Sequence, residues 1–133
     1  MASPTLEQIL IAFRAQVLSA SDVSDKIGTR FYLTHANENP QLPYAVYNIG
    51  DHSISSNHSG QSGVQIVEID VEVFAADEAQ ALKLCDAVRA SVQGFSGAVN
   101  GTHLNRVIYG GASDFAHAEQ KYYGWLLDFT IHA

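Results

Sequence analysis

Three carboxylates at alternate positions, Glu68, Asp70 and Glu72, stand out in the run Val64 to Phe74. Residues two apart on a strand share a face and lie ~6.5–7 Å apart. Carboxylates at such separations perform acid–base work or hold a divalent cation. Catalysis by an acid pair also needs a cleft and neighbours that split the two pKa values. The plain alternative is the wet face of an antiparallel sheet, where charged and apolar residues alternate. A third reading is a functional surface charge, and the residues alone leave all of these open. Histidines are the next candidates: His35, His52, His58, His103, His117 and His132. Asp51, His52 and His58 can converge in one loop, but their spacing matches no zinc module, so neither a metal nor another cofactor is expected. Cys85 is the lone cysteine, which excludes an intrachain disulfide. Its place in a helical apolar stripe predicts a core thiol.

Other catalytic signatures are missing. No G-x-S-x-G nucleophile elbow occurs, and Gly60-Gln61-Ser62-Gly63 lacks its spacing. No G-x-G-x-x-G or P-loop occurs either, and Gly110-Gly111 does not sit between a strand and an opening helix. Tyr122, Tyr123 and Trp125 read as sheet packing rather than a base-stacking platform, because no basic groove accompanies them. The expectation is a protein that is not an enzyme.

The chain has 133 residues, 47% of them hydrophobic and 16% charged, which fits one folded domain spanning 1–133. Its formal net charge is −7, and its seven cations (Arg14, Lys26, Arg30, Lys83, Arg89, Arg106, Lys121) form no run. Clustered Lys and Arg are what tight nucleic-acid binding and anionic membrane surfaces require, so neither partner is expected. The start Met-Ala-Ser-Pro-Thr lacks a basic and then apolar leader, and no apolar run approaches the ~20 residues of a bilayer span. A soluble protein made without export is expected.

The elements that must position these residues follow from periodicity. Ser3 or Thr5 caps a helix in which Leu6, Ile9, Leu10, Phe13 and Val17 recur at helical spacing, ending near Leu18 to Ser21. Ser21 to Lys26 reads as a turn, Ile27 to Leu33 as containing a short strand, and His35 to Pro43 as a loop. A strand from Tyr44 to Ile49 is followed by a long loop or flexible hairpin tip, Gly50 to Gly63. In the next strand, Val64 to Phe74, Val67, Ile69, Val71 and Val73 take one face and the three carboxylates the other. Asp77 and Gln80 open a second helix with the stripe Ala81, Leu84, Cys85, Val88 and Val92, stopped at Gly94. A turn at Gly97 to Gly101, a strand at Leu104 to Tyr109, a loop at Gly110 to Gln120 and an alternating strand at Lys121 to His132 complete the chain. These elements hide their apolar faces together only as an α+β fold, a mainly antiparallel sheet with two helices packed on one face and the other face left polar.

The leading helix, Ile27-Gly28-Thr29-Arg30-Phe31-Tyr32 and Pro40-Gln41-Leu42-Pro43-Tyr44-Ala45-Val46-Tyr47 resemble the tail-completion proteins, or tail terminators, of tailed phages, prophages and gene transfer agents. The resemblance continues through Val71-Glu72-Val73-Phe74-Ala75, the helix bearing Ala79, Leu82 and Val88, and Leu127-Asp128-Phe129-Thr130-Ile131. Leu33 departs from it, standing where a proline is expected after the aromatic pair. The resemblance implies a usually hexameric ring that caps the tail tube, stops its polymerisation and offers a surface to the head, while DNA passes through the lumen without specific binding. Its implied partners are the tail tube protein and a head-completion or connector protein, and its implied place is the tail–head junction of a virion assembled in the bacterial host cytoplasm. On that reading Asp51, His52, Ser53, Ile54, Asn57, His58 and Gln61 form a docking loop, and Glu68, Asp70 and Glu72 face the lumen. The alternatives are another neck or head-completion protein, and a small metal-dependent enzyme or ligand-binding domain using the carboxylate row or the loop of His52 and His58.

Overall fold

The computed structural model describes residues 4–36, 40–55, 64–117 and 122–133. Helix α1 (Leu6–Ser19) opens at Thr5 with a capping box. The Thr5 hydroxyl accepts from the Gln8 N–H at 3.1 Å, and Gln8 Oε1 accepts from the Thr5 N–H at 2.9 Å. The stretch that reads as a turn after it is instead a short helix, α2 (Ser21–Ile27). Only Val23 and Ile27 in it are apolar and buried, one turn apart, and no side chain caps it. Its stability comes from packing on the other helices, which local sequence does not display. Gly28, at φ +59°, stops it.

Strand β1 (Phe31–Leu33) pairs in parallel with the start of β2 (Tyr44–Ser55). Two arginines fix it. Arg14 donates from Nε and Nη2 to the carbonyls of Phe31 and Thr29, and Arg30 Nε donates to that of Pro43. β2 forms an antiparallel hairpin with β3 (Val64–Ala75), and β6 (Arg106–His117) forms another with β7 (Tyr122–His132). The hairpins join along β3 and β7, giving the sheet order β1-β2-β3-β7-β6. Between them lie α3 (Glu78–Val92) and a small hairpin of β4 (Gly97–Val99) and β5 (Thr102–Leu104). Asp77 Oδ1 accepts from the Gln80 N–H at 2.8 Å to open α3, and Gly94, at φ +75°, follows its end.

The fold is α+β, with a mainly antiparallel sheet and helices against one face. Phe13 of α1 sits among Phe31, Tyr47 and Phe129, with ring centroids 5.8–6.4 Å away. Val67, Ile69, Val71 and Val73 of β3 and Leu127, Phe129 and Ile131 of β7 are buried beneath the helices, as their alternation predicts.

Two expected loops are in part strand. Gly50 to Ser55 continues β2, and Gly110 to His117 continues β6. Each extension begins at a bulge, between Ile49 and Asp51 in β2 and between Tyr109 and Gly111 in β6. Glycine and small polar residues are poor strand formers, but a long partner strand supplies the ladder that local propensity lacks. The expectation of a polar outer face also needs correction at one end. There Tyr44 stacks on Phe74 at 4.7 Å, Phe74 meets Tyr122 edge-on at 5.2 Å, and Tyr32 meets Tyr44 at 6.2 Å.

Candidate functional site

The middle of the outer face is acidic. Glu68, Asp70 and Glu72 stand on it together, turned away from the helices. The register adds two acids from neighbouring strands: Asp51 lies opposite Glu68, and Asp128 lies opposite Asp70. Asp128 was legible, since it falls between the core residues Leu127 and Phe129. Asp51 was not, because the β2 bulge shifts which residues reach this face. Two glycines make room for the facing aspartates. A Cβ on Gly110 would collide with Asp128 Oδ1, and one on Gly50 would lie 3.4 Å from Asp70 Oδ2. Partial burial, and then the charge of Asp128, raise the Asp70 carboxyl above its usual range. Among the described residues no group of three or more His, Cys, Asp or Glu is placed to hold a metal ion.

The expected docking loop divides. Asp51, His52, Ser53 and Ile54 belong to β2, while Asn57, His58 and Gln61 lie outside the described residues. The β2–β3 hairpin carries Ile54 past the last pair that β3 makes with β7, Ile66 with His132, while Asp51, His52 and Ser53 lie no further out than that pair. Ile54 on this hairpin is 62% exposed and Val64 40% exposed. Its root is tied down by Gln65, which is buried. The Gln65 amide donates to the Pro4 carbonyl, so its Oε1 accepts from the Nε2–H of His52, at 2.9 Å. Gln65 drew no attention in the sequence, although a polar residue on the inward parity of β3 was the available signal.

The helix side carries charges of both signs. Of the seven Lys and Arg in the chain, Lys26, Lys83 and Arg89 line one open cleft of about 470 Å³ between α2 and α3, with Asp22 and Asp86 at its walls. Lys26 is distant in sequence from Lys83 and Arg89, and no basic run announces the three. Cys85 is buried in α3, and burial raises its thiol pKa, as suits a core residue. No helix among the described residues is long and apolar enough to cross a membrane.

Residues 11–132 match the family described as Tail completion protein gp17. No curated protein matches the chain. Among solved structures it is similar to a chain from the virion of a native gene transfer agent (GTA) particle, with 14% identity and a TM-score of 0.70. The alignment covers 92% of this chain and 91% of that one. At that identity the likeness is one of fold.

Proposed function

The chain belongs to the Tail completion protein gp17 family and is a phage tail structural protein, and from this premise we propose that it is a tail terminator. Its subunits close into a ring, hexameric on the family resemblance, that caps the tail tube, halts its growth and presents a surface to the head. The observation that carries the reading is the charge on the open sheet face. Asp51, Glu68, Asp70, Glu72 and Asp128 share it, with Arg106 of β6 at one end of the face. A conduit for DNA needs a wall that does not hold a polyanion, and like charge supplies that. The helices then face outward. The β2–β3 hairpin, reaching past the sheet with Ile54 and Val64 exposed, docks on the tube or a neighbouring subunit. Weak contacts of this kind become firm when a symmetric ring multiplies them.

Capping is tested by adding the purified protein to growing tail tubes and measuring tube length by electron microscopy. Rings at one tube end and arrested growth are expected. Deleting Ser53 to Gln61 is expected to abolish both, and unchanged capping by the deletion would remove the hairpin's docking role. Binding to head connectors with no effect on tubes would make the chain a neck protein instead.

A further inference from the structure

We propose that the subunits join edge to edge, the free half of β6 in one copy adding to the free half of β2 in the next, so that the sheet runs on across the boundary. The inference rests on the ring reading and names the surface that closes the ring.

The sheet ends in two bare half-edges. On β2, Ala45 N–H donates to the Arg30 carbonyl and Tyr47 C=O accepts from Thr34 N–H, so the β1 segment covers only that half. The same alternation turns the backbone groups of His52 and Ile54 away from β3, and among the described residues no backbone group meets them. On β6, Val107 N–H donates to the Phe95 carbonyl and Val107 C=O accepts from Gly94 N–H, so that half is covered too. Beyond the bulge the outward groups belong to Ala112 and Asp114, again without a described backbone partner. Edge strands are blunted by bulges and inward charges, which the two bulges and Asp114 supply here, and by lysine or proline. Neither residue occurs in 48–55 or 109–117.

The two half-edges fit each other. β2, β3, β7 and β6 alternate in direction, so β6 laid beside the next copy's β2 continues the antiparallel order. A register with His52 opposite Asp114 and Ile54 opposite Ala112 aligns the outward backbone groups. It also matches faces. His52 and Ile54 share the side of Val67 and Gln65, and Ala112 and Asp114 share that same side through Leu127 and Trp125. An imidazole then meets a carboxylate, and the exposed Ile54 meets the exposed Ala112. The stagger is that of a closed barrel. His52 and Val107 lie on one row across the sheet, and Asp114 is seven residues further along β6, one of them the bulge. That offset is about 20 Å at ~3.3 Å per residue, against about 19 Å for the width of four strands at ~4.8 Å each. Strands so offset lean about 45° to the ring axis, within the roughly 35–45° range of barrels. Contact of this kind is heterologous, the type that closes a ring when its rotation closes and otherwise grows a filament.

Ser53 and Ser113 face each other in this register as a non-hydrogen-bonded pair, the spacing a disulfide suits. Full-length Ser53→Cys and Ser113→Cys variants, singly, mixed and combined, are oxidised mildly and run without reductant, with buried Cys85 left in place. The double variant is expected to give a ladder ending at the ring, the mixture a dimer, and each single variant only monomer. A dimer from Ser113→Cys alone would mean that β6 pairs with itself, and rings without cross-links in the double variant would mean another interface. Either overturns the edge pairing and leaves the ring reading standing. A wild type that stays monomeric even on tail tubes overturns both. In a second variant, Ala112→Pro with Asp114→Pro, the lost N–H groups point away from β7, so folding by circular dichroism is expected to be retained and rings lost. Rings that persist in it also overturn the proposal.

Discussion

A Cβ on Gly110 would collide with the Asp128 carboxylate as it stands. Gly110→Ala is expected to destabilise by about 1 kcal/mol or less, because the carboxylate it meets ends an exposed side chain that can swing aside. Urea unfolding measures it, and adding Asp128→Ala should recover much of the loss, because the two residues share one contact. An undiminished loss in the double variant would locate the strain elsewhere. Asp70 carries a different expectation. Its folded-state pKa is raised by burial and by Asp128, so the folded chain holds that proton more tightly than the unfolded one. The stabilising contribution is therefore full below the ordinary value of 3.8 and is lost as pH rises through the folded pKa. Asp70→Asn, which mimics the protonated form, is expected to raise Tm at pH 7, with the gap to wild type closing as the pH falls toward that value. A gap that is independent of pH would rule out the carboxyl as its source.

The elements differ in how openly they were written. α1 and α3 announce themselves by cap and stripe, and the Asp77 cap is expected to contribute about 1 kcal/mol, lost in Asp77→Ala and measured by urea unfolding. No change would mean that packing alone holds the first turn. β3 and β7 are legible because one face of each is buried, which forces their residues to alternate. The later halves of β2 and β6 are not, since Gly50 to Ser55 and Gly110 to His117 draw their order from a partner strand far off in sequence. α2 hides for the same reason, its two buried residues making sense only against the other helices. The acidic face was half legible: Glu68, Asp70 and Glu72 by spacing within β3, Asp51 only through a bulge. The cleft was illegible, because Lys26 of α2 meets Lys83 and Arg89 of α3 only in the fold.

At the scale of the whole molecule, the open sheet gathers five carboxylates on one face, while the cleft between α2 and α3 mixes both signs. Replacing Glu68, Asp70 and Glu72 by Lys adds two charges at each position and moves the formal net charge from −7 to −1. The change falls on the proposed lumen wall. Particles carrying the triple variant are expected to eject DNA slowly, and the variant ring to retain DNA at low salt and release it at high salt. Wild-type ejection kinetics would show that the row is a solvated face and nothing more. Gln65 gives the molecule one further property, which is mechanical. Its amide links Pro4, just ahead of α1, to His52 at the root of the β2–β3 hairpin. Load placed on that hairpin therefore does not stop in the sheet. It passes through one side chain to the start of the helix layer, so a subunit pulled at its tip is braced at its back.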